Sequence, residues 1–172
     1  MLGVLSPLQR SPYGFGSVVL AGAVAVILAA LAFEHIGGYM PCPMCLQQRY
    51  AYYLAIPAVA VALVLLSVDQ RTWAALIFAA VAIGFLANAG LGTYQAGAEW
   101  KFWDPPASCA APATLPTFDL TDDFNRIPAS CGVASWRLLG LSFAGWNVVA
   151  SALLAAGAAV ATLRATGAGS GG

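Results

Sequence analysis

The chain has 172 residues, of which 60% are hydrophobic and only 8% are charged. A soluble domain is typically about 45–50% apolar and about 25% charged, so this composition indicates an integral membrane protein. The net charge is zero and the Lys and Arg residues form no basic cluster, so we expect no nucleic-acid partner.

Four long charge-free runs predict four transmembrane helices, because a helix needs about 20 apolar residues to cross the hydrocarbon core. The runs cover residues 14–33, 51–68, 72–98 and 138–163. We therefore predict an all-α membrane protein, a four-transmembrane-helix bundle that forms a single integral membrane domain over residues 1–172. The predicted helices lie at about 14–33, 48–68, 72–93 and 138–163, and a long loop of about residues 94–137 joins the third helix to the fourth.

The first run is also compatible with a cleaved signal peptide, because Arg10 precedes it and Ala-Leu-Ala occurs at residues 30–32. The apolar core of a signal peptide is usually about 7–15 residues long. This run is longer, which favours a retained membrane helix.

The segment YMPCPMCLQQRYAYY, residues 39–53, places a Cys-x-x-Cys pair at the edge of the second run. Two prolines precede Cys45, so we expect the helix to begin near that residue. The helix dipole would then favour a thiolate at Cys45, and Arg49 would project from the same face one turn later. A thiolate is the species that attacks disulfides. The pattern predicts a redox-active pair, Cys42 and Cys45, with Cys45 activated.

Other interpretations of these residues stay open. A zinc site would need further ligands, but His35 is the only histidine and the remaining cysteines are far apart in the sequence, so we predict no metal site. Cys109 and Cys131 alone are compatible with a structural disulfide. The Arg49 side chain is compatible with snorkelling to the membrane interface, and Glu34 and His35 are expected simply to end the first helix.

The long loop contains five of the ten prolines and the cysteines Cys109 and Cys131. Between them, residues 120–127 are compatible either with a short amphipathic helix on the membrane surface or with a solvated loop. Residues 165–172 are rich in small residues, and we expect this tail to be disordered.

All four cysteines are predicted to lie on one side of the membrane, because two spans separate the loop after the first helix from the loop after the third. Lys and Arg number three on one side and four on the other, so they set no orientation. Two cysteine pairs on one face favour an oxidising compartment. In a bacterium this compartment is the periplasm.

The arrangement as a whole resembles the DsbB family, the bacterial inner-membrane disulfide bond formation proteins. Its elements are four predicted helices, Cys-x-x-Cys before the second helix, Arg four residues later and a distant cysteine pair before the fourth helix. The most specific stretches are PCPMCLQQR and CGVASWRLLGLSFAGWN. The resemblance covers about residues 15–163, nearly the whole chain, and implies a multi-pass protein of the bacterial inner membrane.

The resemblance implies a membrane thiol:quinone oxidoreductase. Cys109 and Cys131 match the pair that exchanges with a periplasmic DsbA-like thiol oxidase. Cys42 and Cys45 match the pair that passes the electrons to ubiquinone or another membrane quinone. The catalytic residues would be these four cysteines, and the implied partners are that oxidase, the quinone and membrane lipid.

The resemblance also implies that Arg49 and Cys45 contact the quinone. Members of the family often have a histidine just after the third helix, where this chain has Gln95 and Ala96. At this point, which lies near the quinone head group in the family, the chain departs from the family pattern. Two alternatives stay open: an enzyme similar to vitamin K epoxide reductase, and a structural membrane protein whose loop is stapled by a disulfide.

Overall fold

The computed structural model describes residues 12–106, Cys109 and residues 131–167. It contains four long helices: α1 (Pro12–His35), α2 (Pro43–Ser67), α3 (Arg71–Glu99) and α4 (Phe143–Gly167). Each of them is long and apolar enough to cross a membrane. The prediction of an all-α, four-helix membrane protein is confirmed.

The helices pack in cyclic order around one core. α3 packs most extensively against α4, and α1 contacts both α2 and α4. α2 and α4 lie on a diagonal and share few contacts. Most buried side chains are small, with Phe78 and Phe85 as the largest fully buried ones. Small residues let helices approach closely in lipid, where packing rather than the hydrophobic effect drives helix association.

α2 begins earlier than predicted, at Pro43 rather than near residues 45–48. Proline suits the first helical position, where its fixed φ is already helical and no backbone N–H is needed. Cys42 is the N-cap residue, and its Sγ accepts a hydrogen bond from the Cys45 backbone N–H at 3.1 Å. The Cys-x-x-Cys pair is therefore part of the helix start.

The predicted start of the fourth helix is replaced by a β-hairpin. β1 (Arg137–Leu138) pairs antiparallel with β2 (Leu141–Ser142). Leu139 and Gly140 at the turn have φ values of 52° and 84°, the left-handed pair that a two-residue hairpin turn requires. α4 therefore begins only at Phe143.

The other boundaries differ from prediction in smaller ways. α3 continues beyond residue 93 to Glu99, because residues 94–99 contain no proline to stop it. α4 continues to Gly167, so residues 165–167 of the predicted disordered tail are helical. The alternative of a surface helix at residues 120–127 and the tail residues 168–172 lie outside the described part of the chain.

The chain leaves α3 along a defined path towards Cys109. The Trp103 ring stacks on Tyr94, with 5.7 Å between ring centroids, and Trp103 Nε1 donates to the Tyr94 carbonyl oxygen at 2.9 Å. Lys101 Nζ donates to the Gly132 carbonyl oxygen at 2.8 Å. These contacts hold the two ends of the long loop close to the end of α3.

Candidate active site

Both predicted cysteine pairs are disulfide-bonded. Cys42 and Cys45 are bonded with 5.0 Å between their Cα atoms, and Cys109 and Cys131 with 5.5 Å. The sequence interpretation grouped the cysteines in this way, and no cysteine is left as a free thiol.

The two disulfides pack together in one buried cluster. The side chains of Cys42, Cys109, Cys131 and Met44 are buried there, and half-buried Cys45 packs at the edge. Thiol–disulfide exchange requires direct attack of one sulfur on another, so neighbouring pairs are the arrangement it needs. The sequence placed all four cysteines on one side of the membrane but gave no measure of how near the pairs come.

The start of α2 directs its dipole first at Cys42. Cys42 Sγ takes the terminal hydrogen bond, whereas Cys45 lies inside the first helical turn. The sequence pattern predicts this stabilisation at Cys45. The structure adds Cys42 to it, because the helix begins two residues earlier.

Arg49 lies one turn beyond Cys45 and forms an ion pair with Glu34 of α1. Both side chains are mostly buried and line the same cavity as Cys42 and Cys45. Glu34 was expected only to end the first helix. Its position beside Arg49 makes it part of the site, and the opposite charges of these two side chains balance each other.

The cavity has a volume of about 510 Å³ and is polar at one end and apolar along its walls. Its charged and sulfur-bearing lining includes Arg49, Glu34 and Cys45. The aromatic side chains on its wall are Phe33, Tyr39, Tyr52, Trp136, Phe143 and Trp146. On α1 the cavity lining extends from Glu34 to Val26 and includes Ala29, which is exposed on the membrane-spanning surface. Such a lining suits an amphipathic molecule.

A line of buried and half-buried polar side chains runs from the Cys42–Cys45 disulfide into the bundle. We call Gln95, Gln48, Asn147 and Tyr52 the amide chain. Gln95 Nε2 lies 3.4 Å from both Cys42 Sγ and Cys45 Sγ, and Gln95 Oε1 accepts from Gln48 Nε2 at 2.7 Å. The line continues to Asn147 and Tyr52, with each bond 2.6 Å long.

No motif in the sequence assigns a role to Gln48, Asn147 or Tyr52. A signal for the amides was present, because polar side chains within membrane spans are costly and usually mark function. Gln95 was noted only as standing where a family histidine is common, and the structure places it against both sulfurs and on the cavity wall. His35, by contrast, is exposed at the end of α1.

Glu99 is a further polar residue in the cavity lining to which the sequence assigns no role. Its side chain is only 8% exposed, and Oε1 lies 3.4 Å from Gln95 Nε2. Oε2 has no hydrogen-bond partner among the described residues. A buried, unpaired carboxyl oxygen is costly, so a polar ligand in the cavity would relieve it.

Comparison with known proteins agrees with this geometry. The family model described as disulfide bond formation protein DsbB matches residues 14–161. A protein named disulfide bond formation protein B from Verminephrobacter eiseniae is 30% identical over 155 residues, which cover 86% of this chain and 84% of that protein. A protein of the same name from Aromatoleum aromaticum is 34% identical over 146 residues, covering 78% and 84%.

No solved structure matches the chain significantly. The family match spans α1 through most of α4, and with it both cysteine pairs and Arg49. The chain therefore belongs to the DsbB family of disulfide bond formation proteins, multi-pass oxidoreductases of the inner membrane.

Proposed function

We propose that this protein is a dithiol:quinone oxidoreductase that reoxidises a periplasmic DsbA-like thiol oxidase. The observation that carries the proposal is the placement of the two disulfides. They share one buried cluster, and only Cys42 and Cys45 also line the amphipathic cavity that contains Arg49. A relay in which electrons enter at one disulfide and leave from the other needs the two disulfides in contact and only one of them at the cavity.

The reaction begins at the loop pair. A thiolate of the reduced partner attacks Cys109, which breaks the Cys109–Cys131 bond and forms a mixed disulfide. The second thiol of the partner displaces Cys109, so the partner leaves oxidised and the loop pair holds two electrons as a dithiol. Exchange with the adjacent disulfide then restores Cys109–Cys131 and leaves Cys42 and Cys45 as the dithiol.

The cavity fits a quinone. Its polar end offers hydrogen-bond donors and a cation for the quinone carbonyls, and its walls are apolar. Glu99 Oε2, which has no partner among the described residues, would accept a hydrogen bond from a hydroxyl of the quinol product. A quinone bound there would accept two electrons and two protons from Cys42 and Cys45, restoring their disulfide and leaving as quinol. Arg49 would stabilise the thiolate form of Cys45, and Glu34 would hold the guanidinium in place.

We further propose that the cysteine side of the bundle faces the periplasm. The partner is a soluble thiol oxidase, so the loop pair has to be accessible from the compartment in which that oxidase works. An oxidising compartment is also where disulfide pairs persist. At the opposite end of the bundle, α2 ends at Ser67 and Asp69 lies between α2 and α3.

The proposal is tested on detergent-purified protein with a reduced DsbA-type partner and ubiquinone, by following quinone absorbance. We expect the wild type to reduce quinone and both Cys45→Ser and Cys109→Ser to fail. When the protein is instead reduced chemically with dithiothreitol, we expect Cys109→Ser to regain a single turnover and Cys45→Ser to remain inactive. This difference separates the entrance of the relay from its exit.

A wild type that leaves quinone untouched with either reductant contradicts the proposal. The disulfides would then be structural, and the chain would be a membrane protein with a stapled loop. Quinone reduction by Cys45→Ser would instead remove the assigned exit residue.

A further inference from the structure

We propose that Gln95 is a catalytic residue of this site, whose amide N–H stabilises negative charge on the sulfurs of Cys42 and Cys45 when their disulfide opens. The inference rests on the proposed function in one respect, because it requires this pair to cycle between disulfide and dithiol. It assigns a role to a position at which the family resemblance gave none.

The contact distances support this role. Gln95 Nε2 is equally far, 3.4 Å, from both Sγ atoms, and the Gln95 side chain is only 2% exposed. A disulfide sulfur is a weak hydrogen-bond acceptor, whereas a thiolate carries a full charge and accepts strongly. The same contact therefore contributes more after the disulfide is opened. Stabilisation that favours the reacting state over the resting state is what accelerates a reaction.

The amide chain fixes which end of Gln95 faces the sulfurs. Gln48 Nε2 donates to Gln95 Oε1, so the Gln95 nitrogen is the atom directed at the disulfide. Asn147 Nδ2 donates to Gln48 Oε1, and Tyr52 Oη donates to Asn147 Oδ1. All four donors point the same way along the line.

Aligned hydrogen bonds polarise one another, and they do so most in a water-poor interior. The positive end of the amide chain is the Gln95 N–H beside the two sulfurs. The chain thus supplies stabilisation to an anion without adding a formal charge to a site in which Arg49 and Glu34 already balance each other.

The charged groups around the pair are Glu34, Arg49 and Glu99, all of which line the cavity. Glu99 Oε1 lies 3.4 Å from Gln95 Nε2, so the two N–H bonds of this amide have both a carboxyl oxygen and the sulfurs as acceptors. Loss of the Gln95 amide removes the donor to the sulfurs and leaves the Glu99 carboxyl without that partner.

The test uses the chemically reduced, full-length protein with neither quinone nor partner present. The alkylation rate of each cysteine by iodoacetamide is measured by peptide mass spectrometry in wild type and Gln95→Met, which keeps the side-chain length and lacks the donor. At neutral pH we expect alkylation of Cys42 and Cys45 to slow about tenfold, the loss typical for a hydrogen bond to a charged group. At alkaline pH, where all thiols are ionised, the rates should converge with wild type.

Cys109 is the internal control, and its rate should not change. Unaltered rates for Cys42 and Cys45 at neutral pH would overturn the inference. Equal slowing at neutral and alkaline pH would also overturn it, because that result reports access to the sulfurs rather than their charge. The measurement involves no quinone. If the protein failed to reduce quinone, the proposed function would be refuted, but the alkylation rates would still test the role of Gln95.

If Gln95→Met fails to accumulate in the membrane, Gln48→Met provides the second variant. Gln48 is a positioning residue that orients Gln95, and its removal should slow alkylation at neutral pH about threefold, a fraction of the direct effect. Gln47→Met is the matched control, since Gln47 is its exposed neighbour on α2. Equal rates in Gln48→Met and Gln47→Met would refute the role of the chain.

Discussion

Arg49 lines the cavity, where its guanidinium forms an ion pair with the Glu34 carboxylate. Glu34 comes from the end of α1, and the sequence contained no pattern that joins it to a residue at the start of α2. Arg49 itself could be predicted, because its spacing from Cys45 corresponds to one helical turn. Side-chain partners from different helices, such as Glu34 with Arg49 or Gln95 with Gln48, depend on helix packing that one sequence does not encode in any local period.

At this scale we expect Arg49→Met to lower kcat/KM for quinone at least tenfold while the four-helix fold is retained. A cation beside a developing thiolate is worth roughly 1.5–3 kcal/mol as a charge-assisted hydrogen bond. Steady-state quinone reduction with the partner at saturation measures the effect. Arg71→Met is the matched control, since Arg71 also has a carboxylate partner, Asp69, but at the far end of α2 and α3. If the two variants had the same kcat/KM for quinone, the proposed role of Arg49 in quinone reduction would be refuted.

The elements themselves were largely predictable, and their ends were not. Four apolar runs sufficed for four helices because hydrocarbon imposes length and composition directly. The start of α2 depends on Cys42 acting as the N-cap, a role in which cysteine is uncommon. The hairpin before α4 depends on Leu139 adopting a positive φ, which its residue type disfavours.

Gly97 fixes the exit from α3 and carries the prediction at this scale. A Cβ at this position would overlap the Trp103 indole, which covers the helix end. We expect Gly97→Ala to displace Trp103 and destabilise the protein by about 1–3 kcal/mol, as overpacking usually does. Scanning calorimetry or circular dichroism in detergent would record a lower midpoint of thermal unfolding.

Gly90→Ala is the control for the helix effect of the substitution. Gly90 also lies on α3, and a Cβ there meets nothing within 4 Å. This variant should be neutral or slightly stabilising, because Ala is favoured over Gly in a helix by about 0.5–1 kcal/mol. A Gly97→Ala protein as stable as Gly90→Ala would show that Trp103 is not held against this face.

For the molecule as a whole, the proximity of the two disulfides is the property that no local pattern could supply. Because two spans separate the loops that contain the cysteines, the sequence predicts all four cysteines on one side of the membrane. The contact between the two disulfides depends on how the ends of the long loop return to α2 and α3. In the structure, hydrogen bonds donated by the Lys101 and Trp103 side chains hold the ends of the loop close to the end of α3.

The proximity predicts that one cysteine from each pair can bond to the other pair. In a variant with Cys45→Ser and Cys109→Ser, we expect the buried sulfurs of Cys42 and Cys131 to form a disulfide under mild oxidation. Peptide mass spectrometry of the non-reduced protein detects the bond. In the control variant, the only two cysteines are Cys42 and a Ser67→Cys substitution at the other end of α2. We expect both to remain free thiols. Free thiols in both variants would contradict the shared cluster.

Orientation is the second prediction for the whole molecule. Ser135 and Ser67 are both exposed serines, the first beside the cysteine cluster and the second at the opposite end of the bundle. With a membrane-impermeant maleimide on intact cells, we expect label at Ser135→Cys and none at Ser67→Cys until the cells are permeabilised. The reverse pattern would place the cysteine side in the cytoplasm.

The exposed position of Ala29 on the cavity wall has a kinetic consequence. A reactant that enters past a membrane-spanning helix is dissolved in lipid or detergent, so water does not set its concentration. The concentration that sets its reaction rate is its mole fraction in that apolar phase. At a saturating concentration of the soluble partner, adding empty micelles would slow turnover by surface dilution, whereas diluting the micelle suspension with buffer would leave the rate per enzyme nearly unchanged. The lipid content of the membrane thereby becomes one of the variables that set the enzyme's rate.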